Sequence, residues 1–433
     1  MNSRIPRRTF LRRAAVGSAG LFFTRICVDA ARRLSPNERL NLAVIGVAHQ
    51  GGSDMSQLDS ENIVALCDVD ETYLAAAAQK HPGAKTYNDF RRLLDQRDID
   101  AVLVATPDHT HAVATVAALK SGRHVYCEKP LTRTLSECRA VMEAARKTKL
   151  VTQIGTQIHG GTNYRRVVEL VRSGAIGSVR EVHVWVDASY GQKLAPATGA
   201  PLPAHLHFDL WLGPVAQRAY SPDYVPRNWR NWWAFGGGAL ADFGCHYMDL
   251  PHWALELTAP SSVEIIDGPP AQDESVPPWL VVRYEYPARE ASPPVALTWY
   301  HGGRQPKPEV LDSKLAGGWR SGVLFVGSKG QLLADYGRRL LLPQAQFEGF
   351  VPPTPFIPDS IGHYREWAQA SKTGGPTTCN FEYSGTLTEA VLLGNAAFRA
   401  GRKLQWNSKQ LRAVNCPEAN QFIQHKYRSG WKL

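Results

Sequence analysis

The sequence has no apolar run close to the roughly 20 residues that a membrane-spanning helix requires, and it has no Cys-x-x-Cys pair. The first absence argues against stable insertion in a membrane once any signal has been removed. The second argues against a zinc ribbon or a redox dithiol. The seven cysteines are scattered, and those that end apolar segments are expected to be buried thiols that act as small hydrophobic side chains. A single disulfide remains an open alternative.

The sequence also lacks a block of Lys and Arg interleaved with aromatic residues, although the formal net charge is +10. A basic balance can indicate binding to nucleic acid or to anionic membranes. Much of the excess here comes from arginines within residues 1–33 and the rest is scattered, so neither partner is expected. The 433 residues, 44% of them hydrophobic and 20% charged, suit a globular protein of two domains.

The N-terminal stretch RIPRRTFLRRAAVGSAGLFF places paired arginines before a mild apolar run. Arg7 and Arg8, followed by Phe10 and Leu11, resemble the twin-arginine export signal of bacteria. A basic amphipathic surface helix is the alternative. We expect residues 1–35 to be a signal and linker, and the folded protein to be exported to the periplasm or beyond.

Residues 38–160 alternate short apolar strands with helical segments, which predicts βαβ units, a parallel sheet and a Rossmann domain. In NLAVIGVAHQGG (residues 41–52), Gly46-x-Ala48-x-x-Gly51 follows a strand and precedes a helix, and Asp68 ends the next strand. This is the setting of a dinucleotide-binding fingerprint. Gly46 permits the tight turn, Gly51 permits close packing, and the helix N-terminus faces the pyrophosphate. Asp68 favours NAD over NADP, because a carboxylate binds ribose hydroxyls and repels a 2′-phosphate.

Ala48 departs from the fingerprint, because it occupies the position of the second glycine. Its methyl group lies where the backbone normally approaches the phosphates, so we expect a different affinity or pose. A Rossmann domain that binds no nucleotide is the alternative.

Two further strings are ATPDHTHAVATVAALKSGRHVYCEKPL (residues 105–131) and GGGALADFGCHYMDLPHWAL (residues 236–255). With the fingerprint, they resemble the glucose–fructose oxidoreductase, inositol dehydrogenase and rhizopine-catabolism (Gfo/Idh/MocA) family over most of the chain from residue 41. The resemblance implies that Lys129, Asp242 and His246 bind substrate and form the catalytic set, with His246 as proton acceptor. It also implies nicotinamide-cofactor binding by Gly46, Ala48, His49, Gly51, Asp68, Thr106, Pro107, His111, Glu128, Lys129 and Gln157.

The residues are compatible with alcohol oxidation, which needs a hydride acceptor and a base for the hydroxyl proton. Lys129 follows a strand at the edge where α/β sheets bind ligands, and Asp242 and His246 are spaced to share a helix face. A solvated lysine and a surface Asp–His pair are the alternatives. Asp249 and His252 could be mistaken for metal ligands with His246. We expect no metal, because the family pattern matches without one.

Residues 161–433 change to strands with two different faces, beginning with VREVHVWVD at residues 179–187. Several later strand candidates predict an α+β domain with a large, mostly antiparallel, open-faced sheet. The resemblance implies that this sheet forms the substrate wall and often a subunit interface, so a homo-oligomer is plausible. Trp232 and Trp233 precede the second string and are predicted to contact a sugar ring, with core packing as the alternative.

These observations favour an NAD-dependent oxidoreductase that acts on a sugar, cyclitol or sugar derivative. An exported enzyme that released NADH would have no ready partner to reoxidise it, so we expect a tightly held cofactor. One alternative is a glycosidase that uses bound NAD to oxidise the sugar, eliminate the aglycone, add water and reduce the ring again. A non-catalytic NAD- or sugar-binding protein is the other alternative.

Overall fold

The computed structural model describes residues 38–289 and 292–433, so the expected signal and linker at residues 1–35 lie outside it. No helix within the described ranges is long and apolar enough to cross a bilayer. The six cysteines in these ranges are all buried and unpaired, as small hydrophobic side chains would be.

The first domain is a six-stranded parallel sheet with helices on its faces, which confirms the predicted Rossmann fold. Its strands are β1 (Asn41–Ile45), β2 (Asn62–Cys67), β3 (Lys85–Tyr87), β4 (Ala101–Val104), β5 (His124–Cys127) and β6 (Thr152–Ile154). Its helices are α1 (Gln50–Ser56), α2 (Glu71–Lys80), α3 (Phe90–Leu93), α4 (Asp108–Lys120) and α5 (Leu135–Thr148). The order β3-β2-β1-β4-β5-β6 makes β1 and β4 neighbours at the topological switch point, where such sheets bind ligands.

Local sequence explains these elements. β4 and β5 are buried along their whole length, as near-continuous apolar strands of a parallel sheet must be. Asp70 caps α2 by accepting N–H bonds from Thr72 and Tyr73. Thr134 and Glu137 form a capping box at the start of α5.

The second domain carries a nine-stranded sheet, mixed but mostly antiparallel, as predicted. Its strands are β7 (Val179–Val186), β8 (Ser262–Asp267), β9 (Leu280–Tyr286), β10 (Val295–His301), β11 (Gly322–Gly327), β12 (Gly330–Ala334), β13 (Arg339–Leu342), β14 (Leu404–Asn407) and β15 (Arg412–Ala413). They are ordered β13-β12-β11-β7-β10-β9-β8-β14-β15, with β7 and β10 parallel.

The α-helices after β6 are α6 (Thr162–Arg172), α7 (Phe208–Leu212), α8 (Gly238–Tyr247), α9 (Asp249–Leu255), α10 (Ser313–Gly317), α11 (His363–Thr373), α12 (Phe381–Ala400) and α13 (Asn420–Ile423). The valines of β7 pack into the core shared with α8, α9 and α12. Trp185 of β7 points to the other face, where Leu311 and Trp319 cover it. The loop before β11 therefore covers part of the sheet face predicted to be open.

Two later parts of the chain return to the first domain. Trp367 of α11 lies in the same core cluster as Leu42 of β1, and its ring packs 5.6 Å from that of Tyr126 in β5.

The long segment 188–237, which we call the strap, crosses the carboxyl edge of the parallel sheet. It is attached there by bonds from Glu71 N–H to the carbonyl of His205 and from His207 N–H to the carbonyl of Val69.

Candidate active site

A cavity of about 530 Å³ lies at the carboxyl edge of the parallel sheet. Its inner wall follows β1, β2, β4 and β5, and the strap supplies much of its outer wall. The volume falls within the roughly 300–1,000 Å³ of small-molecule sites. The cavity coincides with the switch point between β1 and β4.

The turn after β1 needs its two glycines because backbone surrounds them closely. Gly46 has φ +88°, and a Cβ on it would lie 2.6 Å from the carbonyl oxygen of Ala105. A Cβ on Gly51 would lie 1.9 Å from the carbonyl oxygen of Gly46. These glycines let α1 start directly against the β1 and β4 turns, so that its N-terminus opens on the cavity.

Ala48 and His49 both line the cavity beside this turn. His49 has φ +51°, and its Nδ1 lies 2.9 Å from Nη2 of Arg227 in the strap. Burial, and then the charge of Arg227, lower the pKa of His49, so its imidazole is the neutral acceptor for that guanidinium. An arginine beside the helix N-terminus adds positive charge where a diphosphate would lie.

Asp68 lies at the end of β2, on the cavity wall. Its carboxylate accepts hydrogen bonds from the N–H groups of Val47, at 2.9 Å, and Asp70, at 3.0 Å. Burial raises the pKa of Asp68 to about 6, although these bonds act in the opposite direction. The side chain is therefore held in one position, with its carboxylate available to ribose hydroxyls in the cavity.

Lys129 follows β5 and lines the cavity opposite Asp68. Its Nζ donates to the Asp242 carboxylate at 2.5 Å and to the Asp242 carbonyl at 2.9 Å. Tyr190 of the strap donates to the other carboxylate oxygen at 2.7 Å, and Nε of Arg230 lies 3.1 Å from the first. Burial alone would raise the pKa of Asp242, but Lys129 and Arg230 outweigh it and hold the pKa well below its usual range. Asp242 is thus a fixed anion that positions Lys129.

His246 lies one helical turn after Asp242 on α8 and is half-buried. Its Nδ1 is buried without a hydrogen-bond partner, and its ring centroid lies 6.3 Å from that of Tyr336. Burial, and then the charge of Lys129, lower the pKa of His246 to about 3. The imidazole is therefore neutral at physiological pH, and neither His246 nor Asp242 is among the residues that line the cavity.

Glu128 lines the cavity, and a buried polar network supports it from behind. Gln157 donates to the Glu128 carboxyl at 2.7 Å and to Tyr364 at 3.1 Å, and Tyr364 donates to Asp54 at 2.6 Å. Burial, and then Asp54, raise the pKa of Glu128 well above its usual range. Gln157 itself lies behind the wall, where it orients Glu128.

The turns after β4 and β5 carry the remaining predicted cofactor residues. Thr106 and Pro107 line the cavity. His111 is buried between the turns, with its ring nitrogens each 2.7 Å from the carbonyl oxygens of Pro130 and Thr106. The position of His111 suits bracing of the two turns rather than direct contact with a ligand.

The structure corrects the expectation that Trp232 and Trp233 contact a sugar. Both side chains are buried in the core, and their indole N–H groups donate to the carbonyls of Asp223, at 2.8 Å, and Gln272, at 3.1 Å. Each indole is thus satisfied by backbone and neither ring faces the cavity. Trp229 and Arg230 of the same stretch line the cavity instead, with the guanidinium 4.1 Å from the indole.

Several cavity or support residues were missed from the sequence, namely Asp108, Tyr190, Arg227, Arg230 and Trp431. Arg227 and Arg230 belong to the stretch PRNWRNWW, in which no spacing distinguishes an arginine that reaches a cavity from one that is solvated. Tyr190 and Trp431 reach the site from segments without regular periodicity, so no sequence pattern indicated them.

Asp249 and His252, which the sequence spacing made possible metal ligands, have other hydrogen-bond partners. Asp249 accepts from Tyr383 at 2.6 Å and contacts His159 at 3.0 Å, and His252 contacts Tyr286 at 2.9 Å. Within residues 38–289 and 292–433, no group of three or more His, Cys, Asp or Glu side chains is arranged to hold a metal ion.

Two family profiles match consecutive parts of the chain. Residues 40–156 match the profile described as an oxidoreductase family with an NAD-binding Rossmann fold. Residues 161–290 match the C-terminal alpha/beta domain of the same Gfo/Idh/MocA oxidoreductase family.

Curated relatives align with part of the chain. The inositol 2-dehydrogenase of Salmonella typhimurium is 32% identical over 150 residues, which are 33% of this chain and 45% of that protein. Glycosyl hydrolase family 109 protein 1 of Shewanella sp. is 29% identical over 203 residues, 40% of this chain and 44% of that protein. The chain therefore covers less than half the length of these two relatives.

The fold extends further than the sequence similarity. The crystal structure of GenD2 from gentamicin A biosynthesis, in complex with NAD, superposes with a TM-score of 0.60 at 21% identity. The superposition covers 87% of this chain and 99% of GenD2. At that identity, the similarity establishes a shared fold and nothing more.

Proposed function

The chain belongs to the Gfo/Idh/MocA oxidoreductase family, whose first domain is an NAD-binding Rossmann fold. On that premise, we propose that the protein oxidises a CH–OH group of a sugar, cyclitol or sugar derivative by hydride transfer to NAD. One observation carries the proposal. A continuous cavity extends from Asp68, past the Gly46 turn, to Lys129, and Asp242 fixes the Lys129 ammonium at 2.5 Å.

The residues of the cavity fit a dinucleotide. Asp68 would hold the adenosine ribose, and the α1 N-terminus with Arg227 would hold the diphosphate. The turn after β4 and Glu128 would flank the nicotinamide. When bound, NAD supplies the hydride acceptor.

The chain's own residues would handle the substrate hydroxyl. The Lys129 ammonium, held in place by Asp242, donates a hydrogen bond to the reacting oxygen and favours its loss of a proton. We assign the acceptance of that proton to His246, whose half-buried imidazole is neutral and lies close enough to Lys129 for the ammonium charge to lower its pKa. Arg230 and Tyr190 keep Asp242 ionised and oriented.

The proposal includes a tightly held cofactor, because the strap supplies much of the outer wall of the cavity and is bonded to the first domain. We expect the purified protein to carry about one nicotinamide dinucleotide per chain without any being added. Denaturation followed by mass spectrometry of the released nucleotide measures this. Empty protein that accumulates NADH in solution would instead indicate a simple dehydrogenase with exchanging cofactor.

A glycosidase that uses bound NAD is the second candidate, favoured by the similarity to the Shewanella protein named as a family 109 glycosyl hydrolase. A panel of free sugars, cyclitols and aryl glycosides separates the candidates when NADH absorbance and released aglycone are followed together. NADH without aglycone supports the oxidoreductase. Aglycone without net NADH supports the glycosidase. Binding of NAD or sugar with neither signal would leave a non-catalytic binding protein.

We also propose that the protein is exported in folded form, on the evidence of the twin-arginine-like residues 1–35 alone. A closed redox cycle would suit that location, because the hydride returns within the same site. A homo-oligomer formed through the large sheet stays a prediction.

A further inference from the structure

Residues 424–433 follow α13 and run to the cavity without forming a helix or strand. The side chain of Trp431 lines the same cavity as Asp68 and Phe90. We propose that this segment, the cap, binds the adenine half of the dinucleotide and that Trp431 contacts the base. The inference rests on the proposed function, because it concerns the cofactor of that site.

The position of the adenine follows from the sheet order. Asp68 ends β2 and would hold the adenosine ribose, so the base extends away from the switch point toward β3. Phe90 follows β3, and its ring lies 6.0 Å from that of Trp431. The Arg91 guanidinium lies 4.6 Å from the Trp431 ring centroid. This end of the cavity thus offers aromatic surface, which suits a planar purine, and Arg91 holds the Trp431 ring from outside the cavity lining.

The cap is attached both to the strap and to the first domain. Arg428 donates to the Asp209 carboxylate and to the carbonyl of Gly213, both in the strap and both at 2.6 Å. Tyr427 donates to Glu137 of α5, in the first domain, at 2.6 Å. These bonds hold Trp431 against the cavity, so the cap and the strap close the adenine end together.

The first test compares two halves of the cofactor on the nucleotide-free full chain by calorimetry. ADP-ribose contains the adenine and nicotinamide mononucleotide does not. Trp431→Ala should weaken ADP-ribose binding by about ten- to a hundredfold, the range of an aromatic contact with a base. It should leave nicotinamide mononucleotide binding unchanged. Trp431→Phe should retain most of the ADP-ribose affinity.

Trp279→Ala is the matched control. Trp279 is also a partly buried tryptophan under a guanidinium, 4.0 Å from Arg304, but it does not line the cavity. Wild-type affinity of Trp431→Ala for ADP-ribose would overturn the proposal, and so would an equal loss for nicotinamide mononucleotide. Wild-type protein that binds neither ligand would overturn the proposed function as well. Wild-type protein that binds both but oxidises no sugar would overturn the proposed function alone.

A second measurement needs no variant. Lys426 and Arg428 are trypsin sites within the cap. ADP-ribose should slow cleavage at both by tenfold or more, and nicotinamide mononucleotide should not. Equal cleavage with and without ADP-ribose would contradict a cap that closes on the adenine.

Discussion

At the scale of single residues, the protonation state of each buried side chain in the site depends on whether charged or hydrogen-bonding partners surround it. Asp242 is buried, yet it stays ionised because Lys129, Arg230 and Tyr190 surround it. His246, on the same helix, is half-buried without such partners and stays neutral. Asp242 is therefore charged and His246 is neutral, although they lie four residues apart. The charged carboxylate suits the positioning of Lys129, and the neutral imidazole suits the acceptance of a proton.

His246→Ala should remove most turnover and leave NAD binding nearly unchanged, because His246 is absent from the cavity wall that would hold the nucleotide. Loss of a general base typically lowers the rate by ~10²–10⁴. Steady-state kinetics with the best substrate of the panel, beside calorimetry with NAD, measure both effects. His81→Ala, at the end of α2 and outside the cavity, is the control. A wild-type kcat in His246→Ala would remove His246 from the mechanism.

Asp68→Ala should reduce discrimination between NAD and NADP, because the ribose partner and the repulsion of a 2′-phosphate are lost together. The ratio of the two dissociation constants measures the effect. Asp59→Ala is the control, since Asp59 is an exposed carboxylate outside the cavity. We expect the ratio to fall for Asp68→Ala alone. An unchanged ratio would mean that Asp68 does not contact the ribose.

At the scale of elements, the β1–α1 turn sets where the cofactor would lie. Gly51 is buried against the carbonyl of Gly46, whereas the adjacent Gly52 has more space. The spacing of the glycines predicted this packing because steric limits on a strand–turn–helix unit are local. Neighbours distant in sequence, such as Arg227 at His49, follow from no local pattern.

Gly51→Ala should lower the melting temperature and weaken NAD binding, because its Cβ would lie 1.9 Å from the Gly46 carbonyl and force α1 away from β1. Overpacking of a core typically costs about 1–3 kcal/mol, and rigid backbone gives way less than side chains do. In Gly52→Ala the nearest atom would be the Val47 carbonyl oxygen at 3.3 Å, so that variant should stay close to wild type. Equal melting temperatures for the two variants would contradict the packing argument.

The strands that the sequence did not predict are short. β3 has three residues and is largely exposed, β14 has four residues, and β15 has two. Such strands are defined by the neighbours they pair with, since so few residues carry no readable period. The other strands of the parallel sheet were predicted from continuous apolar runs, and β7 of the second sheet was predicted from side chains that alternate in polarity. The prediction that Trp232 and Trp233 contact a sugar was wrong because their burial also depends on residues distant in the sequence. Sequence alone does not show whether an indole N–H will donate to a backbone carbonyl.

At the scale of the whole molecule, burial of histidine governs the response to acid. Burial lowers the pKa of eight histidines to about 3 or 4, namely His109, His111, His124, His246, His252, His301, His363 and His425. Between these values and 6.5, the unfolded chain binds more protons than the folded chain. Their contribution to stability is complete above pH 6.5 and is lost as the pH falls toward 4.

The midpoint of urea unfolding should therefore fall when the nucleotide-free protein is taken from pH 6 to pH 4.5. Four buried carboxyls oppose this trend, because burial raises the pKa of Asp54, Asp68, Asp108 and Glu128. The histidines outnumber them, so the net slope keeps the sign set by histidine. A midpoint that is equal or higher at pH 4.5 would contradict this balance.

The return of α11 to the first domain has a consequence for how the protein is made. Trp367 completes a core cluster that begins with Leu40 and Leu42, more than 320 residues earlier. A ribosome that has synthesised only the parallel sheet has produced a domain with an unfilled core, so this domain cannot reach its final packing until residue 367 has been added. Its cofactor cavity is also unfinished until residue 431 has been added. Closing the cavity over a nucleotide therefore requires residues that are more than 340 positions apart in the chain, such as Phe90 and Trp431.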